Sequence, residues 1–163
     1  MVDAMIKEEA IALAWAMMTE GCITIRKGKI KPTTKYPNYT AVLTFNSTDK
    51  PLTEAVHKLA HGLGHIYHVG YTKTKFNDIW RRSCHRASEI TWILSNIRPF
   101  LVIKGEQADL ALKLLEVKSH AIQHPNQFTT ERPDIQEANW LYTEIKTLNQ
   151  RHKSFGREVV SNI

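Results

Sequence analysis

The chain opens with an Ala-rich run, "EEAIALAWAMMTEG", whose apolar residues fall at helical spacing from about Lys7 to Glu20. Gly21, a favoured residue just past a helix end, stops it. The period then changes to two. From Cys22 to Lys31, Ile23 and Ile25 oppose Thr24 and Arg26; from Asn38 to Asn46, Ala41, Leu43 and Phe45 oppose Thr40, Val42, Thr44 and Asn46. Such alternation marks half-buried strands. Between them "KPTTKYPN" is a basic, proline-marked loop, so the two strands read as a hairpin. "STDKPLTEAVHKLAHGLG" then offers a cap at Thr48 or Asp49, Pro51 in the first turn, apolar Leu52, Val56, Leu59 and Leu63, and a stop at Gly62 or Gly64. It predicts a second helix.

His65 to Tyr71 and Ile79 to His85 again read as strands, joined by "TKTKFND", and Ser88 caps a helix with Ile90, Ile93, Leu94 and Ile97 on one side. Residues 22 to 62 and 65 to 97 are thus two ββα passes behind one leading helix. After Pro99, "IKGEQADLALKLLEVK" carries Leu110, Leu114 and Val117, and "DIQEANWLYTEIKTLN" carries Ile135, Ala138, Leu141, Tyr142, Ile145 and Leu148, all at helical spacing. The expected fold is α+β, αββαββα with extra C-terminal helices. Its four strands form one antiparallel sheet with helices on one face, leaving the other open to solvent or a partner. No Pro-, Gly- or Ser-rich linker divides the chain, so 1–163 is read as a single domain, with a core of about 7–120 and a helical extension of about 121–163.

What the open face offers is basic and hydrogen-bonding. The first hairpin contributes Thr24, Arg26, Thr40, Val42, Thr44 and Asn46, with Lys29, Lys31 and Lys35 in its loop; the second contributes Lys73, Lys75, Arg81, Arg82 and Arg86. Side chains of this kind on a twisted ribbon suit the DNA major groove, and the loop cations suit phosphates. A merely solvated sheet face is the alternative. Net charge sharpens the first reading: 22 Lys and Arg against 16 Asp and Glu leave +6, which favours a polyanionic partner. Two cysteines without a CxxC pair point to a reducing compartment. No basic n-region precedes an apolar core, and no apolar run reaches the roughly 18 residues of a membrane span. The expectation is an intracellular protein with no membrane association.

"LAWAMMTEG", Leu13 to Gly21, resembles the LAGLIDADG motif of homing endonucleases, with identities at Leu13, Ala14 and Gly21 and Glu20 in place of the motif's last acid. "RPFLVIKGEQADLALKLLE", Arg98 to Glu116, is similar to the family's segment after the fourth strand, where a Pro, a bulky pair, a lysine and a following "QA" open the next helix. The resemblance covers about the first 120 residues. It implies a saddle-like sheet laid along double-stranded DNA. It also implies a homodimer, because one motif is present and single-motif members pair their motif helices. The interface would use Ala12, Trp15, Ala16 and Thr19, with Trp15 standing where the family has a glycine. The resemblance further implies metal-assisted cutting of both strands of a pseudo-palindromic target. Glu20 and Gly21 would hold magnesium, or manganese or calcium in its place; Lys104 would approach the scissile phosphate; and Asp49, with Thr53 behind it, would organise water.

The chemistry is consistent with those roles, since phosphodiester hydrolysis needs an activated water and a stabilised leaving oxygen, both supplied by hard cations on carboxylates. Asp49 has a competing reading as a plain helix cap. His57, His61, His65 and His68 run across a helix end, two glycines and a strand, which suits surface histidines better than zinc. Neither a Walker-type loop nor GxGxxG is present, so no nucleotide cofactor is expected. Two other functions stay open: an intron-RNA-binding maturase or non-cutting DNA-binding relative, and a generic basic α+β protein.

Overall fold

A computed structural model of the chain describes residues 4–30, 36–70, 78–123 and 133–158. Helix α1 (Lys7–Thr19) leads into strands β1 (Gly21–Lys27) and β2 (Tyr39–Ser47), then α2 (Lys50–Leu59), β3 (His65–Val69), β4 (Ile79–Cys84) and α3 (Ala87–Ile97). A 3-10 turn (Arg98–Phe100), α4 (Gly105–Gln123) and α5 (Pro133–Glu158) follow. The αββαββα order is present, and so is the single four-stranded sheet, antiparallel throughout, in the order β1-β2-β4-β3. The two ββα passes therefore meet through their second strands.

Strand alternation decides which residues reach the core. Ile23, Ile25, Ala41, Leu43, Phe45 and Cys84 point to the helices and are buried with Leu13, Met17, Val56, Ile90, Ile93, Leu94, Ile97, Leu114 and Leu141. Large apolar side chains of this kind each contribute about 1.5–3 kcal/mol by leaving water. Register puts Cys22, Thr24 and Arg26 on the opposite face with Thr40, Val42, Thr44 and Asn46. Arg81 and Ser83 of β4, then His65 and Tyr67 of β3, continue that face. Helix α5 closes the outer edge of β1: Asn149 Nδ2 donates to Ile23 O at 3.0 Å, and Asn139 Oδ1 accepts from Tyr39 Oη at 2.8 Å and Lys27 Nζ at 2.9 Å. A covered edge cannot pair with another chain's strand.

Several local expectations are corrected. Gly21 does not end α1 through a left-handed φ; among the described glycines only Gly62 and Gly64 have positive φ. Its role is close approach, because a Cβ there would lie 2.6 Å from both Cα and O of Met17. Helix α3 begins at Ala87, so Ser88 is inside the first turn and not its cap; Glu89 supplies the acid that favours a helix start and accepts from Gly64 N at 3.1 Å. Leu52 sits on the outer side of α2, 45% exposed. Gly21→Ala is expected to lower stability by about 1–3 kcal/mol, since two backbone segments would have to separate to admit the methyl group; urea unfolding measures it.

Candidate active site and nucleic-acid interface

Glu20 occupies the seam between α1 and β1. Its backbone N–H closes the last helical turn on Ala16 O at 3.1 Å, and its carbonyl accepts from Asn46 N at 3.4 Å. That leaves the side chain exposed over a depression of about 350 Å³ lined by Asn46, Ser47, Thr48 and Ile79. The end of a helix leaves carbonyls unpaired and carries partial negative charge. Lys104, arriving from the turn before α4, answers both: Nζ donates to Met17 O at 2.8 Å and Gly21 O at 2.6 Å. Burial pushes its pKa down, while Cys22 and Glu20 pull it back up. An ammonium has three N–H donors, so one remains for a group beside Glu20.

This arrangement separates the expected site residues. Glu20 and Lys104 are brought together. Gly21 O accepts from Lys104 at 2.6 Å, which uses one of the two lone pairs of that carbonyl. Asp49 is not at the depression: its Oδ1 accepts from Leu52 N at 3.2 Å, the plain helix-cap geometry. Thr53 is fully buried and donates to Asp49 O at 3.1 Å, one turn back.

On the open face, Thr24, Arg26, Thr40, Asn46 and Arg81 keep accessible surface, and Lys29 is exposed at the hairpin end. Val42 and Thr44 lie on the same face but are 0% and 7% exposed, because β2 is an interior strand whose short side chains sink beneath longer ones around them. Arg82 faces the other way. It is fully buried opposite Phe45, donates Nη2 to Leu63 O at 2.9 Å, and has its pKa lowered by burial, with Cys84 and Glu89 partly restoring it. Adjacent strand residues point to opposite faces, so Arg81 and Arg82 cannot share one surface. The same buried neighbourhood pushes the Cys84 thiol up to about 12, through desolvation and its contact with Glu89. Arg86 stands beyond the sheet at the start of α3, 3.2 Å from Glu89 Oε1. Lys31, Lys35, Lys73 and Lys75 lie outside the described residues.

Sequence reasoning missed the β3 side of this face. Tyr67 (42% exposed) and His65 follow from the alternation of β3, and Ser83 Oγ lies 2.7 Å from His85 Nε2. Burial, Arg26 and His65 together lower the His85 pKa. The four clustered histidines separate: His65 faces outward, His68 meets Asp78 at 3.3 Å, His61 meets Glu9 at 3.1 Å, and His57 is partly buried on α2.

Along α1, Ala12, Trp15 and Thr19 are exposed and Ala16 half-exposed, one continuous strip one turn apart. Trp15 is 63% exposed. Val102 (83%) and Ile103 (54%) extend the strip beside Met18, whose Sδ accepts from Val102 N at 3.2 Å.

No protein-family model matches the chain, and no curated protein matches it in sequence. Solved structures do. The homing endonuclease I-CvuI, bound to its DNA target with calcium, superposes with a TM-score of 0.67 at 18% identity, over 87% of this chain and 82% of that one. Archaeal intron-encoded I-Vdi141I complexed with DNA gives 0.68 at 13%, over 86% and 83%. The LAGLIDADG homing endonuclease I-SmaMI bound to cleaved DNA gives 0.62 at 19%, over 82% of this chain but 42% of its own. The chain has the LAGLIDADG homing-endonuclease fold. Within that fold, the exposed strip of α1, the Glu20 depression and the open face are contiguous.

Two outcomes follow. Lys104→Met removes two charge-assisted hydrogen bonds at the end of α1, and chemical denaturation should show a loss of about 1–2 kcal/mol. His57 and His85 both have folded pKa values below the usual 6.5. The folded protein therefore binds these protons less readily than the unfolded chain. Their contribution to stability is complete above 6.5 and lost as pH falls through the depressed values. The melting temperature should drop on acidification from pH 7 into that range, and a His57→Asn, His85→Asn double variant should drop less.

Proposed function

We propose that this protein is a homodimeric, divalent-metal-dependent endonuclease that cuts both strands of a long, pseudo-palindromic DNA. The observation that carries the reading is the position of Glu20. Its carboxylate stands exposed where the strip of α1 meets the basic open face, with the Lys104 ammonium held beneath it. A generic basic protein has no need of an exposed acid where an apolar strip meets its cationic surface.

Exposed apolar strips of this kind mark interaction sites. A second copy packing its own α1 strip against this one supplies a two-fold partner, doubling the sheet into two half-site readers. The I-SmaMI comparison supports the pairing, since this chain accounts for 42% of that one. Trp15 then fills space between helices where small residues would allow closer contact, flanked by Val102 and Ile103.

Among the described residues no three His, Cys, Asp or Glu side chains converge as a ready-made metal cage. Glu20 still fits a hard cation, because magnesium keeps several waters and is commonly held by one or two carboxylates together with substrate phosphates. Two Glu20 carboxylates brought close by the two-fold would repel each other without such a cation. The cation, when bound, supplies Lewis acidity and a bound water of lowered pKa. Glu20 orients it at the seam. Lys104 holds the helix end and directs its remaining N–H toward the phosphate that reaches Glu20. Arg26, Lys29 and Arg81 bring positive charge to the duplex, so binding should weaken steeply with salt.

The test uses the duplex spanning the intron insertion site of an intronless host allele, with magnesium. Wild type cuts it; Glu20→Gln still binds but no longer cuts, and equal cutting by the variant removes Glu20 from the active site. Sedimentation checks the pairing: Trp15→Glu should convert a dimer to a monomer while leaving circular dichroism unchanged.

A further inference from the structure

Beside the Glu20 depression, Arg81 Nε donates to Asn46 Oδ1 at 2.5 Å, the two residues standing directly opposite each other on β4 and β2. Only an acceptor can meet the guanidinium N–H, which assigns the amide: its oxygen faces Arg81 and its NH₂ faces away. Asn46 is one of the walls of that depression, and Tyr67 stands across from Arg81 on the other side. Asn46 thus fixes the guanidinium from one side at the Glu20 end of the sheet, with Tyr67 as the cross-strand neighbour on the other. No acid approaches Arg81 within salt-bridge distance among the described residues.

The chemistry of the pair is one-sided. Arg81 retains its Nη1 and Nη2 donors, and Asn46 retains its Nδ2 donors; the amide oxygen is engaged. Asparagine reads adenine by accepting from N6 while donating to N7, so Asn46 with its oxygen turned to Arg81 is unsuited to adenine. A surface that offers only donors matches guanine, whose major-groove edge places two acceptors, O6 and N7, side by side. Cytosine presents a donor there, and thymine one acceptor beside a methyl group.

We infer that the Asn46–Arg81 pair is a specificity-determining reader that selects guanine at one base pair of each half-site, with Asn46 as the positioning residue. The inference rests on the DNA-binding reading above and deepens it. Position is part of the claim. Strand β1 has seven residues running from Gly21 beside Glu20 to Lys27 at the far end. They span roughly 20 Å, about six base pairs. Asn46 lies at the Gly21 end of the β1–β2 pairing. The selected guanine therefore lies at the end of the half-site nearest the Glu20 carboxylate, not at its outer end.

A duplex library randomised over both half-sites, bound to the full chain in calcium and sequenced, tests this. Wild type should enrich guanine at one inner position per half-site, and Arg81→Ala should reduce that preference by roughly tenfold or more while the other positions keep theirs. Asn46→Ala should weaken the same position. Asn46→Asp, which keeps an acceptor for Nε, should retain guanine there while lowering overall affinity through added negative charge. An Arg81→Ala protein that binds every sequence more weakly, with guanine still enriched, would make Arg81 a phosphate contact and overturn the inference alone. A wild-type protein that enriches no sequence overturns the DNA reading beneath it.

Discussion

The contact on which the rest depends is the close approach of β1 to the last turn of α1. Gly21 lies so near Met17 that no side chain fits between their backbones, and the Lys104 ammonium bridges Met17 O and Gly21 O across the junction. This one seam ties the α1–β1 junction to Lys104, 87 residues beyond Met17 and 83 beyond Gly21. It turns a helix end, where carbonyls are unpaired and carry partial negative charge, into a fixed platform for Glu20. Lys104 serves fold and site together, since the same ammonium that satisfies the helix lies beside the acid.

From that seam the two outer surfaces follow. The exposed side of α1 leads away in one direction as an apolar strip, centred on Trp15 and widened by Val102 and Ile103. The sheet leads away in the other, carrying Thr24, Arg26, Asn46, Arg81 and Tyr67 outward while Ile23, Leu43, Phe45 and the buried Arg82 anchor it below. An exposed acid between an apolar strip and a cationic sheet is the arrangement on which the proposed dimeric, DNA-bound reading rests. His85, its pKa lowered by burial, Arg26 and His65, lies just past the end of β4, and among the described residues Arg26 and Arg81 are the cations of the open sheet face.

Much of this was legible in the sequence because periodicity is a direct record of burial. The change from helical spacing to alternation at Gly21, repeated after Gly64, specified two ββα passes, and alternation within each strand named its core residues. The same rule, applied strictly, separates Arg81 from Arg82; charge alone put both on one face, and the sheet buries the second beside Phe45. Asp49 was ambiguous because a cap and an active-site acid use the same residue type; the contact with Leu52 N shows that it caps α2. Gly21 was marked correctly as a boundary for a different physical reason, close approach and not a left-handed φ. Val102 and Ile103 were counted as a motif, while their exposure depends on how the turn before α4 lies against Met18, which no local pattern records. The Asn46–Arg81 pair joins residues 35 positions apart and needed the β2–β4 register.

Amide chemical-shift mapping with a nonspecific DNA duplex tests the central claim most directly, because it asks which surface meets the polyanion without requiring knowledge of the target. The account predicts shifts concentrated at Gly21–Arg26, Thr40–Asn46 and Arg81–His85, with the outer surfaces of α3 and α4 unmoved. Shifts confined to the helical side, or spread evenly over the surface, would contradict it.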